Sequence, residues 1–296
     1  MRQLVECALN FSEGRRPEVI AAVVGAASGV RVLNVSSDAD HNRTVVTFLG
    51  PPPAVEEAAL AIARQAVALL DLRQHRGAHP RMGAVDVIPF VPISGVTLDE
   101  CVALARHLGE RIATELGVPV YLYAAAASAP HRRLLADIRR GEFEGLAAKM
   151  QDPAWQPDCG AAVPHPTAGA VAVGARPYLV AFNVNLGTDD LGIARRIAKA
   201  VRARDGGLAN VQALGVALEA RGLVQVSMNL LDPFATPLYR VFEAVRSEAA
   251  RYGVPIVGSE VVGLLPLETI VEAARYYLRL EGFAVRQVLE ARLLEE

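Results

Sequence analysis

Apolar residues recur along this chain at two periods. Leu4–Asn10, Val30–Val35, Thr44–Leu49 and Val85–Val91 are short runs rich in valine, leucine and isoleucine, and they predict strands. Val55, Ala58, Ala59, Ile62, Ala66 and Leu69 recur at helical spacing and predict a helix over 54–72. Pro17 suits the first turn of a helix running to about Ala27. Thr97, with Glu100 three residues on, predicts a capping box for a helix ending near Leu116. Val118–Tyr123 reads as a strand. From Ala124 to about Pro166 the period breaks into short helical patterns, Arg132–Ile138 and Glu142–Met150, and then a proline-rich loop. Strand signal resumes at Tyr178–Asn185. Helix (Asp190–Arg204), strand (Val211–Ala217), strand (Leu223–Leu230), helix (Pro237–Tyr252), strand (Val254–Gly263) and helix (Pro266–Leu280) follow, with a terminal helix over Val285–Leu294.

This order repeats weakly. Val5-Glu6-Cys7-Ala8-Leu9-Asn10 before the first helix resembles Val180-Ala181-Phe182-Asn183-Val184-Asn185 before its counterpart, and a strand–strand–helix follows each. The order strand-helix-strand-strand-helix-strand is a split βαβ pattern. The expected fold class is therefore α/β, with two related subdomains over residues 1–177 and 178–296. Each would be a helix-covered sheet, the boundary near Gly174–Pro177, and a ligand pocket is expected where such units meet.

Composition narrows the function. The 296 residues carry a formal net charge of −2, so no bulk attraction to nucleic acid or an anionic membrane is expected. No apolar run reaches the ~20 residues of a membrane span. Three cysteines, Cys7, Cys101 and Cys159, are odd in number and far apart, which suits a reducing compartment and a role as small apolar residues. The N-terminus enters a strand pattern at once, without a leader pattern, so the expectation is a cytoplasmic protein.

The densest chemistry lies in Gln74–Asp86, where two histidines, two arginines, two glycines and a proline separate a helix from a strand. His79 is the natural group to take and return a proton near neutral pH. Arg81 would hold an anionic substrate. His75 and His79 are four apart, with Asp38, Asp40 and His41 as further metal ligands, but Gly77 and Pro80 argue against the helix such a pair needs, and no metal is expected. In Ser36–Thr44, Asp38 or Asp40 would orient a histidine or bind an amine, and Asn42 and Arg43 would bind a polar substrate end. Asn10-Phe11-Ser12-Glu13-Gly14 sets an amide, a hydroxyl and a carboxylate beside a helix start, for substrate or for capping. Gly160–Arg176 matches neither a phosphate loop nor a dinucleotide fingerprint; its prolines suit a flat ligand, and Arg176 would pair with a carboxylate. No Gly-x-Ser-x-Gly occurs.

At these residues the chain resembles the glutamate formimidoyltransferase family of folate-dependent enzymes of histidine breakdown. The resemblance rests on Leu4-Val5-Glu6-Cys7, Asn10-Phe11-Ser12-Glu13-Gly14, Asn42-Arg43-Thr44, His79-Pro80-Arg81-Met82-Gly83-Ala84, Gly174-Ala175-Arg176 and Ala181-Phe182-Asn183, in order, from residue 1 to about 290. It implies two ferredoxin-like subdomains with a folate tunnel between them, in a homodimer without the cyclodeaminase module of animal relatives. It implies formimino transfer from N-formimino-L-glutamate to N5 of tetrahydrofolate, monoglutamyl or polyglutamylated. It carries the catalytic histidine to His79, taken here with Asp38, and the folate-binding segment to Gly160–Gly169, including Pro164 and Pro166. Asn10, Asn42, Arg43, Arg81 and Arg176 complete the candidate binding residues. Formyl transfer between 5-formyltetrahydrofolate and glutamate is the alternative within the family. A metal-dependent amidohydrolase using His75, His79 and Asp38, or a non-catalytic folate-binding protein, are the alternatives outside it.

Overall fold

The structure, a computed structural model, describes residues 3–77 and 80–293; His79 lies outside the described residues. Contacts divide the chain after Pro177 into two compact units, each with a core of its own.

The first unit runs β1 (Leu4–Phe11), α1 (Pro17–Gly25), β2 (Arg31–Asp38), β3 (Arg43–Gly50), α2 (Pro52–Leu69), β4 (Val85–Ser94), α3 (Leu98–Leu116), β5 (Val120–Ala124), α4 (Leu135–Arg139), α5 (Glu142–Lys149) and β6 (Val171–Ala175). Its sheet has the order β2-β3-β1-β4-β6-β5. The first four strands are antiparallel neighbours, and β6 joins β4 and β5 in parallel. Period-2 alternation explains the layers. Val5, Cys7, Leu9 and Phe11 of β1 face the core with Val23, Ile62 and Leu108 of the helices. On the opposite face, Tyr121 and Ala172 pack with Ile138 and Leu146 of the short helices.

The second unit runs β7 (Val180–Leu186), α6 (Leu191–Val201), β8 (Val211–Leu218), β9 (Leu223–Leu230), α7 (Leu238–Ala250), β10 (Ile256–Val262), α8 (Leu267–Leu278) and α9 (Leu289–Leu293). Its strand order is β10-β7-β9-β8. The internal repeat is visible here. In each unit the first strand lies between the fourth and the third, with the second outside, which is the ferredoxin-like order. The first unit extends that plan by β6 and β5.

The capping box at Thr97 is present: its hydroxyl accepts from Glu100 N, and its own N donates to Glu100 Oε2 at 2.6 Å. Strand β6 departs from the sequence reading, which runs Gly160–Arg176 as loop. All five of its residues are buried between two parallel neighbours, so it shows no alternation, and alanine and glycine give it no strand signature. A Cβ at Gly174 would lie 2.4 Å from Tyr123 O, so that position takes glycine only. Two helices are shorter than their patterns. α6 ends at Val201 before a 3₁₀ turn, and the terminal pattern splits into a 3₁₀ turn and α9.

Cys7 and Cys101 are buried, and burial raises both thiols, Cys101 to about 11, the reverse of an activated nucleophile. Among the described residues, no helix is long and apolar enough to cross a membrane.

Candidate active site

Three turns distant in sequence meet where β1 and β2 end and β3 and β4 begin. They are Ser12–Arg16, the β2–β3 hairpin tip, and the stretch from Leu72 to Gly77. Two glycines allow the approach. A Cβ at Gly14 would lie 2.1 Å from Asp38 O, and one at Gly77 would lie 2.3 Å from His41 O.

Asn42 joins the three. It adopts a left-handed conformation (φ 50°), which asparagine tolerates better than most residues. Its Oδ1 accepts from Gly14 N at 2.9 Å, its Nδ2 donates to Arg76 O at 3.0 Å, and its carbonyl accepts from His75 Nε2 at 2.8 Å. Thr44 Oγ1 donates to Glu13 O at 2.6 Å.

His75 and Arg81 flank the undescribed pair. A carbonyl only accepts and Arg81 Nε only donates, so His75 must be the neutral Nε2–H tautomer. Its Nδ1 accepts from Arg81 Nε at 3.3 Å. Burial lowers its pKa, and the Arg81 charge adds to that. With both nitrogens spent on the protein, His75 offers no lone pair to a metal, which removes a member of the His75–His79–Asp38 set.

Arg81 is buried and fully engaged. Its guanidinium donates to Glu142 Oε2 at 2.9 Å and makes a forked pair with Glu144 at 2.8 and 2.6 Å. Phe143 N donates to Arg81 O at 3.0 Å. In this state Arg81 ties the start of α5 to the His79 loop and has no fork left for a substrate carboxylate. The hydrogen bond from Arg81 holds the Glu144 carboxyl down at about 2. The sign follows directly. A depressed folded pKa contributes stability above the unfolded value of ~4.3, and that stability is lost as pH falls toward about 2. Glu144 is mostly exposed, so the contribution is small and weakened by salt. In acid titrations followed by circular dichroism at low salt, Glu144→Gln should be less stable than the parent at pH 6 and converge with it near pH 2.

Glycine also shapes the other side of the loop. Gly83 pairs with Gly169 (φ 68°), and a Cβ at Gly169 would lie 2.1 Å from Met82 O. Ser12 Oγ donates to Gly83 O at 2.8 Å. The segment 160–169 thus runs along the starts of the parallel strands. Gly160 packs by Pro119 before β5, and Gly169 lies against the start of β4. Pro164 is half-buried and Pro166 exposed.

The remaining candidates divide. Asn10 lies near this edge on β1 and donates to Ala8 O at 3.0 Å. Asp38 is exposed and accepts from His41 N at 2.8 Å and pairs with His41 Nδ1 at 3.0 Å, which stiffens the hairpin tip. Burial would raise its pKa, but these bonds outweigh that and lower it. Glu13 accepts from Arg15 N and Arg16 N at 2.8 and 3.0 Å, so it fixes the turn that leads into α1. Arg176 lies elsewhere. Its N donates to Phe90 O, five residues into β4 and about 17 Å from the strand's start. There its charge partly offsets burial, which raises Glu6 to about 7.

Sequence reasoning missed Arg139. It reaches the buried Asp86 beside the His79 loop, and its Nε is buried with no hydrogen-bond partner among the described residues. Arg43 lies close enough for its pKa to be lowered by burial and by the Arg139 charge, with Asp86 and Asp38 opposing. Two guanidinium groups thus share this corner with the buried Asp86 and the exposed Asp38. Only the fold brings residues 43, 86 and 139 together.

The chain matches two family models: the formiminotransferase domain, N-terminal subdomain, over residues 4–176, and the formiminotransferase domain over residues 181–293. It is 48% identical over 298 residues to a glutamate formimidoyltransferase of Streptococcus pyogenes serotype M1, covering 99% of this chain and 100% of that one. It is 46% identical over 295 residues to a glutamate formimidoyltransferase of Thermoplasma acidophilum, covering 98% and 97%. It is 48% identical over 285 residues to a formimidoyltransferase-cyclodeaminase of Rattus norvegicus, covering 94% of this chain and 53% of that one, so it spans about half the length of that relative. The chain belongs to the formiminotransferase family.

Proposed function

We propose that this chain transfers the formimino group of N-formimino-L-glutamate to N5 of tetrahydrofolate, giving 5-formiminotetrahydrofolate and L-glutamate. The observation that carries this is similarity over the whole length of stand-alone glutamate formimidoyltransferases. Tetrahydrofolate is the co-substrate, and the enzyme acts as a cytoplasmic homodimer.

In the mechanism, N5 attacks the formimino carbon and forms a tetrahedral intermediate. His79 takes the N5 proton and then delivers a proton to the glutamate nitrogen as its bond to carbon breaks. One imidazole serves both steps, worth ~10²–10⁴-fold, and the rest comes from holding two substrates together. Neither step calls for a metal. Arg43 and Arg139 hold a substrate carboxylate; their closeness beside Asp86, and an Arg139 Nε without a partner among the described residues, support this choice over Arg81. Arg176, set well along the sheet, is left for the carboxylates of the folate tail. Asp38 acts on His79 through the hairpin tip. Asn42, His75 and Arg81 set the ends of the loop.

The test is product analysis with tetrahydrofolate and either donor, with and without EDTA. N-formiminoglutamate should be turned over, with EDTA changing nothing. Turnover of N-formylglutamate alone would favour formyl transfer, and loss of activity in EDTA that zinc restores would favour the hydrolase.

A further inference from the structure

The residues that follow His79 are held by one helical hairpin, α4 with α5. Glu142 and Glu144 of α5 take the Arg81 guanidinium, and Phe143 N donates to Arg81 O at 3.0 Å. Arg139, the last residue of α4, pairs with Asp86, whose Oδ1 accepts from Met82 N at 2.9 Å. The Met82 side chain is buried with Ile138 of α4 and Leu146 of α5. Residues 81, 82 and 86 therefore take their places from this hairpin.

The hairpin needs a tie. α4 is five residues long, little more than one turn, and so short a helix is unstable alone. Its last carbonyls have no partner within the helix. The link to α5 is left-handed at Gly141 (φ 92°) and again at Glu142 (φ 53°), where a glutamate is disfavoured. Lys149, at the end of α5, joins the two helices. Its Nζ donates to Asp137 O at 2.8 Å, to Ile138 O at 2.6 Å and to Arg140 O at 3.3 Å. An ammonium has three N–H donors, and all three go to the end of α4. The Trp155 ring covers another side, its centroid 3.9 Å from Nζ. That ring's segment is fixed without Lys149. Tyr121 Oη donates to Trp155 O at 2.6 Å, and Arg132 donates to Ala154 O and Gln156 O at 2.8 and 2.7 Å.

We propose that Lys149 is a positioning residue for the transfer reaction: by tying α4 to α5 it keeps Arg139, Glu142 and Glu144 where they set the loop that carries His79. The effect on catalysis rests on the transferase reading; the tie does not. The tie is also titratable. Burial pushes the Lys149 amine down to about 8, with the Arg140 and Arg132 charges adding to this and the Asp137 charge opposing it. On α5 itself Glu142 and Glu144 are turned to Arg81, and His131 stands edge-on behind the Trp155 ring. Below about 8 the group is an ammonium; above it, a neutral amine keeps two N–H donors for three carbonyls and loses its charge over the ring. The tie therefore weakens as pH rises.

Two measurements on the full chain test this. Hydrogen exchange needs no substrate. In Lys149→Met, which keeps the apolar stem, the Met82 and Phe143 amides should lose about 10-fold or more of their protection, while the amides of β5 keep theirs. Single-turnover transfer is the second. The parent rate should fall as pH rises through about 8. Lys149→Met should be about 10–100-fold slower at neutral pH and lack that fall, with the Kd for 5-formyltetrahydrofolate changed less than about threefold. Unchanged protection at both amides would overturn the assignment. So would a parent rate that is flat through that range, a variant that keeps the alkaline fall, or equal losses of rate and affinity. Lost protection in the variant, with no transfer by the parent at any pH, would instead sink the transferase reading and leave the tie.

Discussion

His79→Ala should lower single-turnover transfer by ~10²–10⁴-fold while changing the Kd for 5-formyltetrahydrofolate by less than about threefold. The split follows from the roles assigned. An imidazole that moves the N5 proton works during bond making and breaking, whereas folate is held by other groups. Because one group is base and then acid, both steps lose together, and no partial reaction should accumulate an intermediate. The variant should fold, since the loop's ends are fixed by Asn42, His75, Arg81 and the Gly83–Gly169 pair. Rapid-quench transfer and calorimetric titration on the same preparation give both numbers. Equal losses in rate and affinity would make His79 a binding residue, and no loss would remove it from the mechanism.

The second large effect is expected at a residue with no side chain. Gly77→Ala would place a Cβ 2.3 Å from His41 O and 2.9 Å from Asn42 Cβ. Real Cβ atoms do not approach so closely, so either the hairpin tip or the loop before residue 78 must move. The tip is held by Gly14, Thr44 and Asn42, so the shift falls on the loop. Forced overpacking costs about 1–3 kcal/mol. A misplacement of about 1 Å at a catalytic group is worth ~10² in rate. Gly77→Ala should therefore lower turnover ~10²-fold with a modest fall in melting temperature. Unchanged turnover would show that the hairpin tip does not set the loop.

Much of the fold was legible in the sequence because period and punctuation carry it. Thr97 and Glu100 announced α3, Pro17 opened α1, apolar spacing marked α2, and the resemblance between the two Asn-ended strands exposed the repeat. Strand β6 was hidden because a short strand buried on both faces has no alternation to read. The site was legible only in part. Asn42 was singled out as a polar residue, but its use as a three-way clasp depends on turns far apart in sequence. Arg81 looked like an anion binder, yet Glu142 and Glu144, some sixty residues on, take its donors. Arg139 lay just past the helical pattern Arg132–Ile138 and carried no signal of its own, and its meeting with Asp86 is a product of the fold.

The most direct test of the central claim is one rapid-mixing experiment. The purified chain, in excess over tetrahydrofolate, is mixed with N-formimino-L-glutamate, and the folate absorbance change and released glutamate are followed together. The account predicts one 5-formiminotetrahydrofolate and one glutamate per tetrahydrofolate consumed, in a single phase that EDTA does not alter. Saturable folate binding without transfer, or glutamate release without a folate product, would contradict it.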